Sequence, residues 1–280
     1  RNLKRKGGGL IDFTEEELQR YSRHILLQEV GAEGQERIRR GRVLVIGVGG
    51  LGSPVALYLA AAGVGTIGIA DGDTVELSNL QRQVIHFTPD VGRNKVDSAG
   101  EKLRKINPHV RINTYHESLT VENILDIVRE YDFIVDGTDN FPTKYLINDA
   151  CVLASKPFTQ GGILRFEGQI FTHLPGTACY RCLFGEPPAG GSPSCSQAGV
   201  LGAIAGIVGS IQAAETLKYL TGTGELLTDR LLTFDARTME FHRIESCRQN
   251  DCPLCGIHPM IEELVSYGQP VCDLKPHRNP

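Results

Sequence analysis

The chain has 280 residues, with 29 Lys and Arg against 33 Asp and Glu and a net charge of -4, so bulk electrostatics offer nothing to nucleic acid. Its 41% hydrophobic and 22% charged residues are ordinary for a globular protein long enough to bury a substantial core. The longest apolar stretch, Gly199 to Ile211, is too short to span a bilayer and runs into Gln212, Glu215 and Lys218. Neither a membrane nor a nucleic acid is expected as a partner. The basic, Gly-rich start, Arg1 to Gly9, has no apolar core behind it and does not read as a secretory signal. Residues 1–13 are expected to be a mobile segment, and the location to be cytoplasmic, where eight cysteines should serve as thiols or metal ligands.

Thr14-Glu15-Glu16-Glu17 reads as a capped, acidic first turn, with Leu18, Tyr21, Ile25 and Leu26 sharing a helix face. Arg42 to Ile46 is a short apolar strand of the buried parallel kind. A glycine loop follows and opens a helix over Ser53 to Ala62. Thr66 to Ala70 is a second strand. Then come a helix over Lys95 to Ile106, a strand over Val110 to Thr114 and a helix over Val121 to Arg129. A strand over Phe133 to Asp136 and a helix over Tyr145 to Ala154 complete the first half. This alternation predicts an α/β, doubly wound parallel sheet. After Pro157 the pattern becomes antiparallel. Ile163 to Thr172 reads as two strands around a tight turn, and Leu231 to Phe234 pairs with Glu240 to Ile244. A long helix is expected from about Gly199 to Leu220, after a mobile loop over Gly185 to Pro193.

The loop Gly47-Val48-Gly49-Gly50-Leu51-Gly52 follows the first strand, where such glycines permit a tight turn, backbone approach to phosphate and close helix packing. Asp71, 19 residues after Gly52 at the end of the next strand, is placed to accept from ribose hydroxyls. This combination makes the expected fold Rossmann-like. Arg82 and Lys95 flank a segment that passes beside the phosphates, and Asp139 lies at the same carboxyl edge. Two cations and a carboxylate able to hold Mg²⁺ suit attack on a triphosphate better than hydride transfer. Taken singly, Arg82 and Lys95 would be solvated charges and Asp139 a helix N-cap ahead of Phe141-Pro142. His24 and His86 are read as hydrogen-bonded structural residues.

Gly-x-Gly-Gly-Leu-Gly, Asp71-x-Asp73, Ser78-Asn79-Leu80-Gln81-Arg82-Gln83, Gly-x-x-Lys95 and Thr138-Asp139-Asn140, in this order, resemble the MoeB/ThiF family, the bacterial relatives of ubiquitin-activating enzymes. The resemblance runs from about Leu18 to Gly256. It implies an adenylyltransferase that uses Mg-ATP to activate the C-terminal glycine of a ubiquitin-like sulfur-carrier protein, in molybdopterin or thiamine biosynthesis. It assigns Asp71 to the ribose, and Asn79, Arg82 and Lys95, with Gln83 beside them, to the phosphates. Asp139 goes to the metal and the reacting phosphate. Arg23, in Tyr21-Ser22-Arg23-His24, matches an arginine that reaches into the partner subunit's site, which implies a homodimer. One adenylation domain is expected over 14–256, divided into a nucleotide-binding half, 14–156, and a carrier-binding half, 157–256, with a tail over 257–280. The residues after Cys272 leave no room for the rhodanese domain that some members append, which either a truncated chain or a separate sulfur donor would explain.

Cys179-x-x-Cys182 and Cys252-x-x-Cys255 can offer four thiolates to one ion, a closed and therefore structural zinc site. A redox pair or unrelated thiols are the rival readings, and the family carries zinc at matching positions. Cys195 follows the Gly/Pro-rich loop, where some family members form a covalent link to the carrier. A helix N-terminus could activate it, and an incidental cysteine is the alternative. Rival functions are a dinucleotide-dependent oxidoreductase, a nucleotide-binding scaffold for a catalytic partner, and an activating enzyme for a tRNA base or small molecule. The oxidoreductase would leave Arg82, Lys95 and Asp139 without a task.

Overall fold

The computed structural model describes residues 3–4, 10–186 and 199–267. Two short strands, β1 (Leu3–Lys4) and β2 (Leu10–Ile11), form a separate antiparallel ribbon. Thr14 caps α1 (Glu15–Arg20) through a capping box in which the Glu17 N–H donates to Thr14 Oγ1 at 3.1 Å and the Thr14 N–H to the Glu17 carboxylate at 2.8 Å. The expected helix face is interrupted at Tyr21, and α2 (Ser22–Ile25) follows. A helix the sequence reading did not anticipate, α3 (Gly31–Arg40), comes next. Gly31 and Gly34 weaken its intrinsic propensity by about 1 kcal/mol each. Tertiary contacts override that: Ile38 is buried, Gln35 donates to the Ala62 carbonyl at 2.8 Å, and Arg37 donates to the Thr221 carbonyl.

From there the chain alternates as expected: β3 (Arg42–Ile46), α4 (Gly52–Ala62), β4 (Thr66–Ala70), α5 (Lys95–Ile106), β5 (Arg111–Tyr115), α6 (Ile124–Arg129), β6 (Phe133–Asp136), α7 (Phe141–Leu153) and β7 (Phe158–Leu164). The second half brings β8 (Glu167–His173), α8 (Tyr180–Phe184), α9 (Gly202–Thr221), β9 (Arg230–Asp235) and β10 (Glu240–Glu245). One eight-stranded sheet results, in the order β10-β9-β8-β7-β6-β3-β4-β5. Its pairs from β7 through β5 are parallel and those from β7 out to β10 antiparallel. The two-part sheet was thus legible in the pattern.

β7 starts at Phe158, five residues before the expected Ile163, and its first residues extend the parallel sheet beside β6. Three helix starts also move by three residues or more, each for a local reason. α7 starts at Phe141, four residues before the expected Tyr145, because Asn140 accepts from the Thr143 N–H at 3.0 Å and Pro142 suits the first turn. α6 starts at Ile124 because Asn123 folds back to accept from the Thr120 N–H at 2.8 Å. α9 starts at Gly202 because Gly199 and Leu201 bond Arg165, at 3.0 Å each, and so bridge to the β7–β8 turn.

Strand alternation divides the core. Val43 and Val45 of β3 face one apolar layer with α4 and α5, while Leu44 and Ile46 face the other with α6 and α7. Across α7 and α8 lies a buried ion pair. Arg181 donates to both carboxylate oxygens of Asp149, at 2.9 and 2.7 Å, with side chains 3% and 1% exposed. Removing one partner of such a pair strands a buried charge, a cost of about 3–5 kcal/mol, whereas an apolar replacement of both is often neutral. Arg181→Met should therefore lose stability of that order in denaturant unfolding, and Asp149→Leu/Arg181→Met should regain most of it. A single variant as stable as wild type would show that the pair does not hold the two helices together.

Candidate nucleotide site and thiol cluster

The chain runs from β3 to β4 to β5 in one direction across the sheet, then returns to place β6 on the other side of β3. The carboxyl ends of β3 and β6 therefore flank a topological switch point, where open α/β sheets bind ligands. A cavity of about 760 Å³ opens there, within the range of small-molecule sites. The glycine loop forms its floor. Gly47 has φ +84°, and a Cβ on Gly52 would lie 1.8 Å from the Gly47 carbonyl oxygen, so any side chain at Gly52 would force the turn open. Gly49 and Gly50 also line the cavity.

Asp71, directly after β4, has a carboxylate that accepts from the Val48 N–H at 2.9 Å and the Asp73 N–H at 2.9 Å, tying the glycine loop to the β4 end. Burial pushes its carboxyl above the ordinary range, while Lys95 and the two N–H groups pull against that shift. Lys95, at the start of α5, places Nζ 2.7 Å from the Asp73 carboxylate and 4.0 Å from that of Asp71. Asn79 is buried and turns the segment by accepting from the Glu76 N–H at 3.1 Å. Arg82 Nη1 donates to the Ser78 carbonyl at 3.1 Å. Gln83 is 5% exposed, lines the cavity, and has a buried side-chain oxygen without a partner among the described residues.

Asp139 lies three residues beyond the end of β6 rather than at it, exposed and on the cavity wall. The N-cap role falls to Asn140. No partner for the Asp139 carboxylate is found among the described residues. Gly47, Gly49, Gly50, Asp71, Asn79, Arg82, Gln83, Lys95 and Asp139 all line this one cavity, while Gly52 shapes the turn behind it. Arg23, on α2, is exposed and does not line it. Cys195 and Cys272 lie outside the described residues.

Both histidines beside the motifs hold structure together. His86 contacts Ser98 Oγ at 2.8 Å and the Val48 carbonyl at 3.0 Å, and burial pulls its pKa down to about 4, so it is neutral near pH 7. His24 contacts Gln35 Oε1 at 3.0 Å. The sequence reading missed a buried group on the cavity's other flank: Asp136, Lys144 and Gln160. Asp136 is fully buried and bonded to both other residues. The available signals were a carboxylate ending the apolar strand Phe133-Ile134-Val135 and an earlier start of α7 that would have enclosed Lys144.

Cys179, Cys182, Cys252 and Cys255 converge, all four sulfurs lying within 4.8 Å of one another. Sulfur–sulfur separations of 3.8, 3.7 and 3.4 Å fit a tetrahedral ion, since zinc bonds of about 2.3 Å set sulfurs about 3.8 Å apart. The Gln249 N–H points at Cys182 Sγ at 3.4 Å, a donor that would steady a thiolate. The donor set leaves no open position for chemistry.

Fold and cavity together define a nucleotide-binding α/β protein with a four-cysteine cluster that could hold a metal ion. Residues 21–254 match the ThiF family, and the chain belongs to it. It is 49% identical over 270 residues to the sulfur carrier protein adenylyltransferase of Thermus thermophilus, covering 94% of this chain and 99% of that one. The adenylyltransferase and sulfurtransferase MOCS3 of Culex quinquefasciatus is 46% identical over 95% of this chain, which spans only 61% of that relative's length. Among solved structures, E. coli MccB with ATP superposes with a TM-score of 0.72 at 25% identity, covering 85% of this chain and 73% of that one. Among the described residues, no helix is long and apolar enough to cross a membrane.

A closed thiolate site contributes directly to folding free energy. The protein as purified without chelators should carry one zinc per chain. Cys252→Ser should lower metal content and thermal midpoint together, as read by elemental analysis and calorimetry. Wild-type protein free of zinc, or a Cys252→Ser variant that melts unchanged, would contradict the assignment.

Proposed function

We propose that the chain is an adenylyltransferase that joins AMP from Mg-ATP to the C-terminal glycine carboxylate of a ubiquitin-like sulfur-carrier protein, of the molybdopterin or thiamine type. The observation that carries this reading is the cavity itself: Arg82, Lys95 and Asp139, which has no partner among the described residues, stand around the place where a glycine loop would receive phosphates. The names of the Thermus and Culex relatives support it.

In this reading a carboxylate oxygen of the carrier's last glycine forms a bond to the α-phosphorus. The bond from that phosphorus to the bridging oxygen breaks, and pyrophosphate leaves with the electron pair. No proton moves, so no acid or base is needed. That suits a site whose nearby His86 is buried and neutral. What the reaction needs is orientation and relief of charge repulsion between carboxylate and triphosphate. Asp71 would accept from the ribose, and Lys95 would exchange its Asp73 partner for phosphate oxygens. Arg82 and the Gln83 amide would face the same oxygens. Asp139 would hold Mg²⁺, an ion that characteristically takes one or two carboxylates plus substrate phosphates.

The finer proposals are a homodimer, a separate sulfur donor and a cytoplasmic location. Leu26, Leu27, Leu77 and Phe87 are each at least 52% exposed, apolar side chains that a second copy could cover, and Arg23 precedes the first two in the chain. In such a dimer Arg23 would act in the partner's site. Cys195 would be the thiol that meets the activated carrier.

Exchange of labelled pyrophosphate into ATP should depend on a carrier ending in Gly-Gly. Arg82→Ala and Asp139→Ala should each reduce it roughly 10²- to 10³-fold, the scale for losing one electrostatic stabiliser, with thermal midpoints unchanged. Exchange at the wild-type rate in Asp139→Ala would remove that residue from the mechanism. Hydride transfer with a bound nicotinamide would overturn the reading.

A further inference from the structure

Among the described residues Asp139 has no partner of its own, so its position must come from its neighbours. On one side, Asn140 caps α7. On the other, Asp136 Oδ1 accepts from both the Thr138 N–H, at 2.8 Å, and Thr138 Oγ1, at 2.6 Å. The other oxygen of the same buried carboxylate accepts from Gln160 Nε2 at 2.7 Å and from Lys144 Nζ at 3.1 Å. Lys144 Nζ also donates to the Gly161 carbonyl at 2.6 Å. One ammonium thus ties the end of β6, the first turns of α7 and the middle of β7, and it is the cation paired with Asp136.

We propose that Lys144 is a positioning residue: by neutralising and orienting Asp136 it holds the Thr138–Asp139 turn where the Asp139 carboxylate can meet the metal on the phosphates. This deepens the adenylation reading and rests on it for the role of Asp139. The physical argument is that a fully buried carboxylate without its cation must rotate, take up a proton or admit water. Each outcome loosens the two bonds it makes to Thr138. Lys144 is itself compensated by Asp136, so it offers no net charge to a passing carrier tail. Its contribution runs through Asp136.

The test measures ATP affinity by calorimetry on zinc-loaded protein, with and without Mg²⁺ and with no carrier present. Failure of this proposal is thereby read apart from failure of the carrier step. Wild type should show a Mg²⁺-dependent gain in ATP affinity. Lys144→Met and Asp136→Asn should each reduce that gain at least fivefold while leaving metal-free ATP affinity unchanged, and Lys144→Arg should preserve it. The double variant Lys144→Met/Asp136→Asn should lose no more than either single one, because both act through the same two Thr138 bonds. Where Lys144→Met unfolds at the assay temperature, the double variant, which strands no charge, gives the reading. A folded double variant with the full gain would overturn the proposal, as would losses that multiply.

Discussion

The Gly47 backbone just after β3 passes so close to Gly52 and Gly137 that Gly52 has no room for a side chain and the other two positions little. A Cβ on Gly52 would meet the Gly47 oxygen at 1.8 Å, and one on Gly137 would meet the Gly47 oxygen and the Gly52 nitrogen at 3.0 Å each. This crossing brings the carboxyl ends of β3 and β6 together and aims the start of α4 into the cavity, where exposed N–H groups favour an anion. The polar groups then take their places relative to that floor. Asp71 is bonded to Val48 within the loop, and His86 reaches the Val48 carbonyl from the following segment. The segment that carries Arg82 and Gln83 along the cavity is thus referenced to the same turn.

A second set of constraints comes from the far side of the sheet. The thiol cluster joins α8 to the segment after β10, since Cys179 and Cys182 lie against Cys252 and Cys255. Between the first two cysteines, Arg181 is locked onto Asp149 of α7, and the Asn148 side chain accepts from the Tyr180 N–H at 2.8 Å. The N-terminal end of α7 carries Asn140, with Asp139 just before it, and Lys144 stands a turn later. A continuous path of bonded groups therefore runs from the thiolates to the carboxylate proposed to hold the metal. The clip does no chemistry in this account, yet it steadies the helix that presents a reacting group.

Much of this was legible because it is local. The strand, glycine loop, helix and acidic residue follow one another within 30 residues, and spacing alone pairs the cysteines. The switch from parallel to antiparallel strands shows in the change from alternating elements to hairpins. What escaped depended on distant partners. α3 has weak propensity and is held by Ala62 and Thr221, the latter far along the chain. The start of α9 was displaced by a bridge to Arg165. The Asp136 group needs Gln160 from the neighbouring strand, so neither the carboxylate nor Lys144 announces its role in sequence. Asp139 stands three residues beyond the strand end at which the pattern put it, because the strand ends at Asp136 and a turn intervenes.

The central claim is that the carrier's carboxylate attacks the α-phosphorus, and oxygen tracing tests it directly. A Gly-Gly carrier labelled with ¹⁸O in its C-terminal carboxylate would be incubated with the enzyme and Mg-ATP, and the activated carrier captured by hydroxylamine. Acyl capture breaks the carbon–oxygen bond, so the account predicts AMP containing one ¹⁸O and unlabelled pyrophosphate. Label in pyrophosphate or inorganic phosphate, or formation of ADP, would place the attack on a different phosphorus and contradict it.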